Sequence, residues 1–230
     1  MKRFLLLSLA ALLLCPLAAQ AGKPVRITVL SYNIQGAKRF PTEKYAEFIQ
    51  KYQPDLVAFQ EVDYMTKRFP QKPDFLGEVA RMTGMHPVYA AAMAFSDGQY
   101  GIGLMTRFPI EAVKAFALPQ PEGSYEPRRA VTAEVRINDD LTMRFTSTHL
   151  DLPSDSIRLA QTTALTRWLS GDDTPSIVCG DFNATPDSKA IAHMKDHWQQ
   201  VCDDQLTYPE TDPKKKIDYI FVRGRGTWKV

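Results

Sequence analysis

The run Ser176-Ile177-Val178-Cys179 followed at once by Gly180-Asp181-Phe182-Asn183 is the strongest constraint in this sequence. Four residues able to lie in a core, bounded by a glycine, read as a buried strand. The polar residues just beyond it stand where strand ends commonly present reactive groups. Residues two apart in an extended chain point the same way, so Asp181 and Asn183 are expected to face one spot. An anionic acceptor beside an amide suits a site that holds a hard cation and touches a phosphate oxygen.

Four further strand-like runs share this plan. Ile27 to Tyr32 leads into Asn33, Leu56 to Gln60 into Glu61, and Met143 to Thr148 into His149, with Asp151 two residues on. Ile217 to Val222 carries Asp218 inside an apolar run. Helical periodicity predicts helices near 42–52, 74–83 and 154–169, and a fourth after Pro186. The first would place Tyr45, Phe48, Ile49 and Tyr52 on one face; the third would turn Ile157, Ala164, Leu165, Trp168 and Leu169 inward. Strands are expected at 101–105, 112–118 and 130–137, the last joined to 141–148 through the turn Asn138-Asp139-Asp140. Consecutive strands and a hairpin exclude a purely parallel sheet.

At the other end of the chain, Lys2 and Arg3, the apolar stretch Phe4–Leu14 and Ala19-Gln20-Ala21 form a secretory signal with its cleavage site. The apolar stretch falls short of the roughly 20 residues of a membrane span. Residues 1–21 are therefore read as a cleaved signal peptide, residues 22–230 as one domain without a stable membrane anchor, and the protein as periplasmic or secreted. The chain holds 28 Lys and Arg against 26 Asp and Glu. Losing Lys2 and Arg3 brings that balance to zero, where a general nucleic-acid binder carries a basic excess. Cys179 and Cys202 are expected to stay unpaired, Cys179 packing as a small apolar group.

Taken in order, Ser31-Tyr32-Asn33, Gln60-Glu61-Val62-Asp63, Tyr100-Gly101-Ile102-Gly103-Leu104, Glu126-Pro127-Arg128, Thr148-His149-Leu150, Gly180-Asp181-Phe182-Asn183 and Ile217-Asp218-Tyr219-Ile220-Phe221 resemble the endonuclease/exonuclease/phosphatase superfamily, with its deoxyribonuclease-I-like fold. The resemblance implies an α+β fold, a four-layer α/β/β/α sandwich of two packed mixed sheets flanked by helices. It implies Glu61 and Asn33 at a Mg²⁺ site (Mn²⁺ as substitute), and His149, Asp181, Asn183 and Asp218 as catalytic residues. Arg128 and Tyr100 would bind the substrate phosphate. Arg129 is the alternative to Arg128, since a strand points only one of them inward. The implied activity is hydrolysis of a phosphodiester or phosphomonoester by direct attack of water, on a small-molecule, lipid-linked or nucleic-acid substrate, by a monomer. A catalytically inactive remnant that only binds metal or phosphate is the rival expectation. The family pattern closes with Ser-Asp-His on a further strand, beyond the Lys229-Val230 reached here. A missing last strand, an open sheet edge, an Asp218 without its histidine and low activity of this chain are thus expected.

Other features read blandly. His193 and His197 have helical spacing without the glutamate of a zinc-protease motif. Lys214-Lys215-Lys216 is a solvated turn, and Asp151 caps the following helix. Mass spectrometry of the exported protein should find Gly22 first; a retained apolar stretch, or a lipid on Cys15, would refute signal cleavage.

Overall fold

The computed structural model describes residues 24–230; the predicted signal peptide lies outside them. Two sheets are stacked face to face. The first has the order β1-β2-β4-β3, built from β1 (Val29–Asn33), β2 (Leu56–Tyr64), β3 (His86–Phe95) and β4 (Gly98–Thr106). The second has the order β5-β6-β7-β8-β10-β9, from β5 (Ile110–Ala117), β6 (Arg129–Asn138), β7 (Leu141–His149), β8 (Ser176–Asp181), β9 (Gln199–Gln200) and β10 (Asp218–Arg223). Each sheet is mixed: β1 runs parallel to β2 and β7 parallel to β8, and the other pairs are antiparallel.

Strand alternation produces the layers. In β2, Val57 and Phe59 pack under α1 (Thr42–Tyr52) and α2 (Phe75–Thr83), while Leu56 and Ala58 face the second sheet. In β8, Ile177 and Cys179 face the first sheet, and Val178 packs under α3 (Asp155–Leu169) and α4 (Lys189–His197). Three apolar layers thus separate four structural ones, the α/β/β/α sandwich expected from the sequence.

Several local readings are corrected. Phe48, Tyr52 and Trp168 are exposed at the rims of their helices' apolar stripes, Phe48 still touching Tyr32 of β1 and Trp168 stacking on Phe116 of β5. Ser154, not Asp151, caps α3, its hydroxyl accepting from Ile157 N. Lys216 is buried rather than solvated: its ammonium donates to the Asp218 carbonyl at 3.1 Å and lies over the Tyr219 ring. Strand β3 was not anticipated, because alanines and Pro87 carry little strand signal. Beside β10, the two-residue β9 pairs with Phe221 and Val222 only, and β1 and β3 form the two margins of the first sheet. Both cysteines are free.

The second sheet also sets the level of the polar strand ends. Asp181 pairs in register with His149 on one side and Asp218 on the other. Gly180 permits this, because a Cβ there would meet the Thr148 carbonyl oxygen at 1.9 Å. Gly180→Ala should push β7 from β8 and destabilise the fold by about 2–4 kcal/mol. A urea melt superimposable on that of the unsubstituted protein would show that the strands tolerate the methyl group.

Candidate active site

Each predicted site residue except Tyr100 and Arg128 sits at a strand end or an interruption. Asn33 closes β1, His149 closes β7, and Asp218 opens β10. Glu61 is not at the end of β2 but in a bulge within it, where the register with β4 shifts between Gln60 and Val62. Its φ of +58° is left-handed, a conformation a non-glycine residue holds at a cost of about 1–3 kcal/mol. Asn183, at φ +47°, lies beyond β8 in a turn closed by its own N–H on Asp181 Oδ1 at 2.8 Å. Asp181 and Asn183 therefore meet through a turn rather than through strand alternation.

Asn33 joins the two sheets. Its amide nitrogen donates to Glu61 Oε1 at 2.8 Å and to Asp181 Oδ2 at 3.0 Å. Both amide hydrogens are thereby used on carboxylates, and Glu61 Oε2 has no hydrogen-bond partner among the described residues. Burial, then the charge of Asp218, push Asp181 up to about 7. Asp218 is raised as well by burial, against the opposing hydrogen bond of Thr207. Beside Asp218, the Thr207 hydroxyl accepts from its backbone N–H at 3.2 Å.

The other half of the site surrounds His149. Arg128, 4 % exposed, donates through NH1 to His149 Nδ1 at 2.9 Å and pairs through NH2 with Glu126 Oε1 at 2.7 Å. Arg129 has no such contact, so the strand turns Arg128 inward. Burial and then the Arg128 charge hold the His149 ring well below its ordinary pKa, so it is neutral. A guanidinium can only donate, so Nδ1 is the bare nitrogen and the ring proton sits on Nε2. Asn183 Nδ2 donates to the Leu150 carbonyl at 2.9 Å, which fixes the amide's orientation. Two N–H groups, on Nε2 and Nδ2, thus face each other at 3.1 Å, and the acceptor beside them, Asp181 Oδ2, stands 3.7 Å from Nε2, beyond hydrogen-bond reach. One oxygen placed against both would satisfy each. Tyr100, buried and with its phenol raised by burial, lines the same groove.

The groove has a volume of about 1240 Å³ and is lined by all eight predicted residues. Sequence reasoning had assigned no role to Glu126, Thr207 or Arg158. Glu126 was legible in the Glu126-Pro127-Arg128 segment; Thr207 and Arg158 carry no local signal and are brought in by tertiary folding. Asp151 accepts from Tyr125 N and Leu152 N and stands 3.8 Å from Arg128 Nε, a support for the arginine rather than a helix cap. His193 and His197 lie ring against ring on α4, outside the groove. Among the described residues, no three His, Cys, Asp or Glu side chains converge into a full metal cage.

The Endonuclease/Exonuclease/phosphatase family model matches residues 30–230, and the chain belongs to that family. The fold is similar to that of a mannosyl-6-phosphatase from Bacteroides thetaiotaomicron, at a TM-score of 0.67 and 16% identity over 86% of this chain and 85% of that one. It is similar to the human Nocturnin catalytic domain with bound sulfate, at 0.65 and 22% identity over 86% and 82%. The 2′,3′-cyclic phosphatase ANGEL2, in complex with adenosine-2′,3′-vanadate, matches at 0.65 and 14% over 86% and 84%.

Arg128→Met should raise the His149 pKa towards its ordinary value, because the lost charge is one that opposes ring protonation. Nitrogen-detected NMR of labelled histidine should show a neutral ring with its proton on Nε2 in the native protein. A proton on Nδ1 would overturn the tautomer assignment.

Proposed function

We propose that this protein is a metal-dependent phosphoesterase that hydrolyses a phosphodiester or phosphomonoester by direct attack of water. The observation that carries the reading is the pair of facing donors, His149 Nε2–H and Asn183 Nδ2–H, 3.1 Å apart in a groove that also holds carboxylates. Donors fixed in advance at developing negative charge are commonly the largest catalytic contribution. A phosphoryl oxygen set between them accepts from both. Asp181, held at Oδ2 by Asn33 and at Oδ1 by the Asn183 N–H, is placed to orient the attacking water and take its proton. Arg128 keeps His149 a neutral donor.

Glu61 fits a hard divalent cation. One carboxylate oxygen is positioned by Asn33, the other is open to the groove, and Mg²⁺ needs few protein ligands when water and phosphate complete its shell. Glu61, helped by the Asn33 side, would hold Mg²⁺ or Mn²⁺, which supplies positive charge to phosphate oxygens. The zero charge balance after signal removal supports a compact phosphate ester over bulk nucleic acid, and the signal sequence supports action in the periplasm or outside the cell. Among the described residues, no helix is long and apolar enough to cross a membrane.

A binding-only role is the rival reading: among the described residues, the Asp218 carboxyl meets the Thr207 hydroxyl. Calorimetry and turnover separate the two readings. Mg²⁺ should bind the native protein and lose about 10-fold or more in affinity in Glu61→Gln. Bis(p-nitrophenyl) phosphate should be hydrolysed with Mg²⁺ and fall by about 10²–10³-fold in His149→Ala. Metal binding without hydrolysis would establish the binding-only role, and unchanged affinity in Glu61→Gln would remove Glu61 from the metal site.

A further inference from the structure

Arg158 lies in the same groove and is used by nothing described above. It stands one turn into α3, half-buried. NH1 donates to the Leu152 carbonyl at 2.6 Å and, more weakly, to that of Asp151 at 3.5 Å. Nε is buried without a partner, and NH2 makes no hydrogen bond to the described residues. The acids near it are committed elsewhere. Asp155 accepts from Lys189 N and Ala190 N at the start of α4, and Asp151 from Tyr125 N and Leu152 N. By contrast, Arg68, Arg128 and Arg144 are each answered by a carboxylate. Burial pulls the Arg158 guanidinium below its ordinary pKa. A partly desolvated cation held on carbonyls, with one nitrogen left over, is a receptor that lacks its anion.

Its position says which anion. Leu150 holds the Asn183 amide through its carbonyl, and Leu152 holds Arg158 through its own. Two residues of chain span about 7 Å at most. Asn183 and Arg158 are therefore neighbouring stations on a single turn. We propose that Arg158 binds a second phosphoryl group of the substrate, on the α3 side of the phosphate seated between His149 and Asn183. This rests on the phosphoesterase reading and narrows it to compact esters carrying two phosphoryl groups. Arg158 acts as a specificity-determining residue: it touches the second phosphoryl group and takes no part in bond cleavage.

The test compares orthophosphate with pyrophosphate by calorimetry on the full chain, with Mg²⁺ held in constant excess over protein and over either anion. The native protein should bind pyrophosphate about 10- to 100-fold more tightly than orthophosphate, the range for one charge-assisted contact. Arg158→Gln retains an amide that can still reach the Leu152 carbonyl, which separates charge from any bracing of the turn. It should bring the ratio close to one, and Arg158→Lys should restore part of it. Lys114→Gln, which removes one positive charge from the exposed face of β5, should leave the ratio as it was. An equal affinity for both anions in the native protein, or a ratio that survives Arg158→Gln, overturns the proposal. Since the ratio needs no turnover, failure to hydrolyse bis(p-nitrophenyl) phosphate with the ratio intact would count against the reaction and not against Arg158.

Discussion

The site depends above all on the register of β8 between β7 and β10. A single strand places Asp181 level with His149 in one neighbour and with Asp218 in the other. The arrangement is unforgiving: Asp181, His149 and Asp218 share the face of Cys179, Phe145 and Ile220, and one residue of slip would turn them towards the helix layer instead. Gly180 is what lets the strands close at that level, because its missing side chain leaves room for the Thr148 carbonyl. The fixed register is backed by buried packing on both faces of β8, Ile177 and Cys179 on one and Val178 on the other.

Register within one sheet would still leave Glu61 unplaced, because it comes from the other sheet. Asn33 makes the connection, giving one amide hydrogen to Glu61 and one to Asp181. The strain at Glu61 fits this demand. A regular β2 would put Glu61 on the face of Val57 and Phe59, towards the helices and away from the groove. The bulge breaks the alternation once and aims the carboxylate at Asn33. The cost in backbone conformation is small beside that of a carboxylate buried without a partner.

Much of this was legible in the sequence, for stated reasons. The helices over 42–52 and 74–83 follow from periodicity, the hairpin at 138–140 from turn residues, and the polar strand ends from apolar runs that stop short. What escaped depended on contacts distant in sequence. Lys216 looks like part of a charge run, but the Tyr219 ring and the Asp218 carbonyl draw it inside. Thr207 and Arg158 reach the groove from a long loop and from a helix, with no motif around either. The Glu61 bulge is invisible in composition, because the run Leu56 to Gln60 reads as a strand that stops at Glu61. Asp151 was misjudged because helix capping is a local rule, and Arg128, distant in sequence, competes for the same carboxylate.

The charge distribution then argues for how such a site has to work. Glu61, Asp181 and Asp218 gather around Asn33, an amide with no charge to offer. The Arg128 guanidinium is committed to Glu126 and to the His149 ring, and that ring is neutral. Burial is the first cause of the upward shifts of Asp181 and Asp218; the charge of Asp218 adds to the shift of Asp181, while the Thr207 hydrogen bond and the Lys216 ammonium oppose the shift of Asp218. A phosphate ester brings more negative charge to the same place, and alone it would be opposed. A divalent cation on Glu61 reverses the balance, favouring ionised carboxylates and an anionic substrate together, so each makes the other easier to bind. That mutual dependence supports a reading in which metal and substrate occupy the groove as a pair, while His149 and Asn183 contribute donors that need no change of charge.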